Sequence, residues 1–233
     1  MNSHRVLLAA LLVALASVAG AGSSQADPSQ ANPTYLIGGY PMAGLALGDW
    51  GKIAGFGLGL DGTDVVFRKP GRPIALRSSF GFLYNFSRTE DVPASNLGPN
   101  SALSLETKNG SLFFGFGPEI GMPTGAINPF AFGTIGFNTY WTESNLTGTA
   151  GGSPYSARFG DSRIAFAWSA GLGIRKHVTQ GELLELSAEF RSGEGHMYVL
   201  PEQVTNTGTT VNVERKARTT NQLIVRLGTV FGV

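Results

Sequence analysis

Histidine is the first place to look for chemistry, because it is the one side chain whose unperturbed titration falls near neutral pH. The chain carries His4, His177 and His196 and no cysteine. His4 lies in an apolar leader, His177 at a turn, and His196 in Gly195-His-Met-Tyr-Val199, where it reads as a surface histidine near the end of a strand. A metal site would have to recruit carboxylates such as Glu90, Asp91 and Glu106, whose spacing suggests nothing specific. Gly55-Phe-Gly57-Leu-Gly59 has the glycines of a phosphate loop but no helix pattern after it, so it reads as a glycine-rich strand. No cofactor, metal or catalytic residue is expected. What remains is a set of charges: Asp61, Glu119, Glu185 and Glu189 against Arg77, Arg175, Arg191 and Arg226. Four against four on one face is what a closed interior needs, since a buried charge is costly unless it is paired.

The elements that position these charges are strands. In Arg163–Arg175, RIAFAWSAGLGIR, the even positions hold Ile164, Phe166, Trp168, Ala170, Leu172 and Ile174, and the odd positions hold small or polar residues and the two arginines. Alternate side chains of a strand point to opposite faces. The alternation outlasts an ordinary strand of roughly 5–6 residues and suffices for the roughly 9–11 that cross a bilayer. The same contrast recurs: Leu76, Phe80, Phe82, Tyr84 and Phe86 oppose Ala75, Arg77, Ser79, Gly81 and Asn85; Leu112, Phe114, Phe116, Ile120 and Met122 oppose Ser111, Gly115, Gly117, Glu119 and Gly121. Leu184, Leu186, Ala188 and Phe190 oppose Glu185, Ser187, Glu189 and Arg191, and Leu223, Val225, Leu227, Phe231 and Val233 oppose Gln222, Arg226, Gly228 and Gly232.

Weaker strands complete the set. Tyr35 to about Leu47 is blurred by Gly38, Gly39 and Pro41, and Pro41 argues for an edge or a bulge. From Ala54 the alternation is clear until Asp61-Gly-Thr-Asp64, where a phase break suggests a bulge or a tight turn. Residues 129–141 form a strand of mixed alternation. Short turns at 69–73, 123–128 and 178–181 alternate with unpatterned stretches at 87–110, 142–162 and 200–219, which read as long loops; the connection 48–52 is short although it falls on the long-loop side. An even number of strands with short turns on one side and long loops on the other is the layout of a membrane barrel.

At the front, Arg5 precedes the apolar or small run Val6–Val18, and Ala21 or Ala26 offers a cleavage point, so residues 1–26 read as a secretory signal peptide and 27–34 as a short lead-in. Without residues 1–26 the charges are 16 basic and 16 acidic, which gives no case for nucleic acid or another strongly charged partner. No later apolar run approaches the roughly 20 residues of a spanning helix, so only a closed barrel could cross a membrane. The expectation is therefore all-β: an eight-stranded antiparallel up-and-down transmembrane barrel over 35–233, preceded by a cleaved signal peptide.

Sidedness follows from volume. The interior of eight strands is just wide enough for side chains to fill, so glycine, alanine, serine and a few paired charges fit inside while phenylalanine and tryptophan from every strand would overfill it. Six full apolar rows on the outside of a soluble protein would exceed the patches soluble monomers show. Tyr84, Phe86, Tyr140, Trp141 and Tyr198 near strand ends would form an interfacial aromatic girdle.

The run Arg226-Leu-Gly-Thr-Val-Phe-Gly-Val233 is similar to the C-terminal signal of outer-membrane barrels, with Arg226, Gly228, Phe231 and Val233 at its positions. The family usually ends in an aromatic, and Val233 departs from that. Over about residues 34–233 the chain resembles the small eight-stranded bacterial outer-membrane barrels. That resemblance implies the outer membrane of a bacterial envelope, contact with outer-membrane lipid and recognition by the barrel-assembly machinery. Some barrel enzymes that act on lipid A carry an outward histidine with a serine two residues on, whereas residue 198 is Tyr after His196, so that match fails. A structural barrel with loop-mediated binding or adhesion is expected. A narrow channel for small solutes or hydrophobic molecules is the alternative, and a soluble lipocalin-like binder the second alternative.

Overall fold

The computed structural model describes residues 34–67, 72–122, 126–179, 181–207 and 210–232. The expected signal peptide, nearly all of the lead-in, parts of the short turns and Val233 lie outside the described residues. The elements in chain order are β1 (Tyr35–Leu47), α1 (Gly48–Ile53), β2 (Phe56–Phe67), β3 (Ile74–Asp91), β4 (Ala102–Gly121), β5 (Ile127–Ala150), β6 (Ser153–Thr179), β7 (Glu182–Tyr198), β8 (Val204–Asn206), β9 (Val211–Val213) and β10 (Lys216–Gly232). Each long strand pairs antiparallel with the next, and β10 pairs with both β7 and β1 to close a barrel of eight; β8 and β9 form a separate two-stranded hairpin. Closure leaves the sheet without an end strand, the condition for crossing hydrocarbon; on its β7 side, β6 is paired from Ala167 toward the short turns.

The apolar rows face out. Ile164 is 69% exposed, Phe166 49% and Trp168 39%, while Ala165, Ala167 and Ser169 between them are buried. Leu58, Leu60, Leu76, Phe80, Phe116 and Phe137 extend the belt around the wall. It runs from Ile74, Ile120, Ile127 and Phe231 at the end with short turns to Phe86, Trp141 and Ile164 at the other, the loop end. On its surface Phe56 stacks on Phe86, Phe82 on Trp141, and Trp168 leans on Phe190.

Two of the uncertain registers resolve simply. Pro41 creates neither an edge nor a bulge: β1 keeps one register on β10, from Leu36↔Gly232 to Leu47↔Asn221, and only the two pairings around Tyr40 and Pro41 are skipped. Asp61–Asp64 is neither bulge nor turn, because β2 pairs without a shift on both sides. The apparent phase break arises because the inward face, after Asp61 and Thr63, turns apolar at Val65, which joins Leu36, Tyr40, Ala75, Leu183 and Val230 in a hydrophobic floor at the short-turn end.

The sequence predicts loops for the long connections, and most of their residues are strand. β5 and β6 hold one continuous register from Ile127↔Lys176 to Ala150↔Ser153, so the expected 142–162 loop is the outer part of a hairpin that stands beyond the belt. Its tip is Gly151-Gly152, with φ of 57° and 83°. Positive φ at both residues is what a two-residue hairpin turn demands, and glycine supplies it without strain. β3 and β4 extend beyond the belt too, which shortens the 87–110 loop to residues 92–101. Above the membrane neither face has to be greasy, so these extensions carry Glu106, Lys108, Glu143 and Arg158 outward and cover a second small core of Val92, Leu103, Leu105, Leu146, Val199 and Val204. The 200–219 loop contains β8 and β9, and 48–53 is the helix α1.

Candidate functional site

The inward residues of the belt build two closed rings of alternating charge. Nearer the short turns, Arg77 reaches Glu119 at 2.9 Å and Glu185 at 3.3 Å, while Arg175 reaches Glu119 at 2.6 Å and Glu185 at 2.8 Å. Toward the loop end, Asp61 meets Arg226 at 3.1 Å and Arg191 at 3.4 Å, and Glu189 meets Arg191 at 2.9 Å and Arg226 at 2.6 Å. All eight predicted interior charges are buried, and each has two partners of opposite sign. The first ring is supplied by β3, β4, β6 and β7, and the second by β2, β7 and β10.

The aromatic content of the lumen departs from expectation. Phe113, Phe130 and Phe132 point inward, and the last two are why residues 129–141 read as a mixed strand. Their rings lie under the guanidinium groups: Arg191 is 3.8 Å above Phe113, Arg175 4.0 Å above Phe130 and Arg77 4.4 Å above Phe132. A desolvated arginine gains from such a ring face. Three phenylalanines therefore pack among the buried charges of the lumen. Above the second ring Met42, Leu83 and Ile224 add an apolar layer.

The loop end is closed by α1. Six residues are too few for a helical period to show in the sequence, and nothing else marks the segment before the fold places it. Trp50 is fully buried and packs on Tyr140, Tyr198 and His196, with ring centroids 5.8, 5.3 and 5.4 Å away. The helix is tied to the surrounding wall by Arg88 donating to the Gly51 carbonyl at 2.8 Å, by Lys52–Glu202 at 3.3 Å and by Arg218 on Asp49. Tyr140 and Tyr198 therefore sit inside the mouth and not in the lipid girdle, where Tyr84, Phe86 and Trp141 remain.

His196 is also buried, contrary to the surface position expected of it. The cause is a bulge. β7 pairs Gly193 with Thr220 but His196 with Arg218, one residue out of step, and Gly195 has φ 75°. A left-handed glycine at an inserted residue switches the phase, so His196 and Tyr198 turn inward although the charges below them occupy odd positions. The Gly193-Glu-Gly195 pair is the trace of this in the sequence.

His196 Nε2 lies 2.7 Å from Thr142 Oγ1 and Nδ1 lies 3.8 Å from Asp161 Oδ2. Hydroxyl, imidazole and carboxylate are the components of a nucleophile, base and orienting acid. The hydrogen bonds run the wrong way for that role. Asn109 Nδ2 donates to the Ile53 carbonyl at 2.9 Å, which leaves Asn109 Oδ1 to accept from Thr142 Oγ1 at 2.8 Å. The Thr142 proton is thus committed to Asn109, so His196 Nε2 carries the hydrogen and donates to Thr142, and it has no lone pair there to take a proton. Burial among the three rings pushes His196 down to about 4, with Arg163 adding to the effect and Asp161 opposing it. A neutral imidazole held this way is a packing and latching group. No cluster of three or more His, Asp or Glu suited to a metal occurs among the described residues; Glu90 and Glu106 are engaged by Arg88 and Lys108.

Of the C-terminal pattern, Arg226 belongs to the second ring, Gly228 faces Tyr40 and Phe231 faces outward. No protein-family model and no curated protein matches the chain. Among solved structures it is similar to a major outer membrane protein from Thermus thermophilus, with a TM-score of 0.47 and 14% identity, covering 84% of this chain and 98% of that one. It is similar to the outer membrane protease OmpT from Escherichia coli at a TM-score of 0.46 and 8% identity, covering 91% and 100%. Neisserial surface protein A gives 0.43 and 9%, covering 86% and 97%. At these values the likenesses assign no activity or partner, and the fold rests on the hydrogen-bonded ring of strands itself.

Proposed function

We infer that this eight-stranded barrel of the outer-membrane type is a sealed structural barrel of the bacterial outer membrane, which holds extended strands and loops outside the bilayer for binding or adhesion. The observation that carries this reading is the closure of the lumen. Two complete ion rings, three inward phenylalanines and the Trp50 plug occupy it from the floor to the mouth. Opening a pore would separate the pairs that join non-adjacent strands, Arg77–Glu185, Arg175–Glu119, Asp61–Arg226 and Asp61–Arg191, and breaking even one buried pair costs about 3–5 kcal/mol. The filled lumen weighs against the alternative of a narrow channel for small solutes or hydrophobic molecules. A soluble lipocalin-like binder would need the large rings inside and the charges outside, the reverse of the arrangement found.

In this reading the chain is not an enzyme, because the only hydroxyl, imidazole and carboxylate set described at the mouth has its proton in the wrong place. Its partners are outer-membrane lipid along the belt and, during insertion, the barrel-assembly machinery at the C-terminal strand; nucleic acid is not among them. Planar-bilayer recording of the refolded protein is the test. Absence of discrete conductance steps is the expected outcome, and reproducible unitary channels at neutral pH contradict the sealed lumen.

A further inference from the structure

Along β2 the side chains of Thr63 and Val65 are buried, so Asp64 between them points out of the wall. Its surroundings on that face are apolar: Leu60 and Val66 along β2, Ile37 opposite it on β1, and Leu76 and Phe80 on either side of Ser78, its partner on β3. Between the end rows of the belt, Asp64 is the one charged residue facing out among the described residues. An acid at membrane depth is costly and calls for a partner. Each of the eight lumen charges has counter-ions, whereas Asp64 has only the Tyr35 hydroxyl, which donates to Oδ1 at 2.8 Å, and no cation among the described residues reaches it.

The wall is dented beside this carboxylate. Gly62 and its cross-strand partner Gly39 both face out, and a Cβ at Gly62 would meet nothing nearer than 3.8 Å. The dent is a groove of about 260 Å³ walled by Ile37, Ser78, Phe80 and Phe114, and Asp64 is the only charge that lines it. Phe80 and Phe114 lie on the loop-end side of Asp64 and Ser78, so the groove runs from the carboxylate toward the middle of the belt. A lipid of the short-turn leaflet has the same polarity, with its head group at the short-turn side and its chains toward the midplane. The charge selects the head group. An anionic one would meet a like charge, a choline has no N–H to give, and a primary ammonium can donate to the carboxylate. A second copy of the chain is a poor match, because a two-fold interface over the groove would bury both Asp64 carboxylates with no lining cation between them.

We propose that this groove holds one phospholipid of the short-turn leaflet, its primary ammonium head group on Asp64 and an acyl chain lying over Gly62 against Ile37, Phe80 and Phe114. This deepens the reading of the belt as lipid-facing and rests on it. The test uses the full barrel extracted in detergent micelles, to which phosphatidylethanolamine, phosphatidylcholine or phosphatidylglycerol with identical acyl chains is added, and native mass spectrometry reads the retained lipid. One phosphatidylethanolamine should be held at least about tenfold more tightly than either of the others, the worth of a hydrogen bond to a charged group. Asp64→Asn should remove that preference. Gly62→Leu, which fills the groove, should weaken retention about tenfold while leaving the melting temperature of the barrel unchanged. Equal retention of the three lipids, or a preference that survives either substitution, would overturn the proposal, as would a dimer or a stoichiometric second protein that Asp64→Asn releases. Absence of the preference in a non-conducting barrel that still inserts into vesicles would remove the lipid site and leave the sealed scaffold standing. Failure of the unsubstituted barrel to insert would overturn the lipid-facing belt, and the site with it.

Discussion

Asp61 and Arg226 carry much of the residue-scale argument. Removing one member of a closed ring leaves two buried charges of the opposite sign sharing a single partner. Arg226→Met should therefore lower the stability of the refolded barrel by about 3–5 kcal/mol, read as the urea midpoint in micelles, and adding Asp61→Asn should recover part of the loss. A second residue-scale prediction concerns His196. Its imidazole titrates near 6.5 when unfolded and is pushed down to about 4 in the folded mouth. A proton is then bound by the unfolded chain and not by the folded one, so stability rises with pH between about 4 and 6.5 and is fully present above it. At about 1.4 kcal/mol per pH unit the loss on full acidification is on the order of 3–4 kcal/mol. His196→Gln should flatten the pH dependence of the unfolding midpoint over that window; an unchanged slope would show that His196 does not set it. At this scale the eight charges were legible in the sequence because alternation puts them all on one face. Their pairing was not, since partners such as Arg77 and Glu185 lie 108 residues apart. Thr142, Asp161 and Asn109 were invisible as a group because only the Gly195 bulge turns His196 toward them.

The elements test sidedness. Phe166 and Ala167 are neighbours on β6, one facing lipid and one facing the lumen. Phe166→Arg should impair assembly by roughly 1–3 kcal/mol, less than the roughly 2–4 kcal/mol Arg costs on the lipid side at the midplane, because Phe166 lies one outward position in from Ile164 at the loop end of the belt. Ala167→Ser should have a mild effect, and refolding yield into lipid vesicles compares the two; the reverse ranking would invert the faces. Strands with clean alternation, such as β3, β4 and the membrane half of β6, could be read directly, because lipid on one side enforces a period of two. That force ends with the belt. Beyond it Thr142, Ser144 and Thr147 on β5 look like loop composition, yet cross-strand pairing keeps them in the sheet. The Leu103-Ser-Leu105 alternation and the Gly151-Gly152 pair were the available signs of strand and hairpin. α1 offered none, being one and a half turns whose position is fixed by Trp50 entering the mouth.

The whole molecule is a lipid-facing wall around a core that most soluble proteins would not tolerate, with ions where a soluble core has hydrocarbon. Glycine, serine and alanine on the inner face make room for the rings, and the 14% of charged residues is low because the wall itself needs almost none. The loop end is built more of extended, paired strands than of irregular loops. The central claim is the orientation of that wall in a bilayer, and two tryptophans report it: Trp168 is on the belt and Trp50 is sealed in the mouth. Single-tryptophan variants, with the other two replaced by Phe, can be refolded into bilayers whose phospholipids carry bromine on the acyl chains. Strong quenching of Trp168 fluorescence with little quenching of Trp50 is the predicted result. Equal quenching of both, or a protected Trp168 beside a quenched Trp50, would contradict the account.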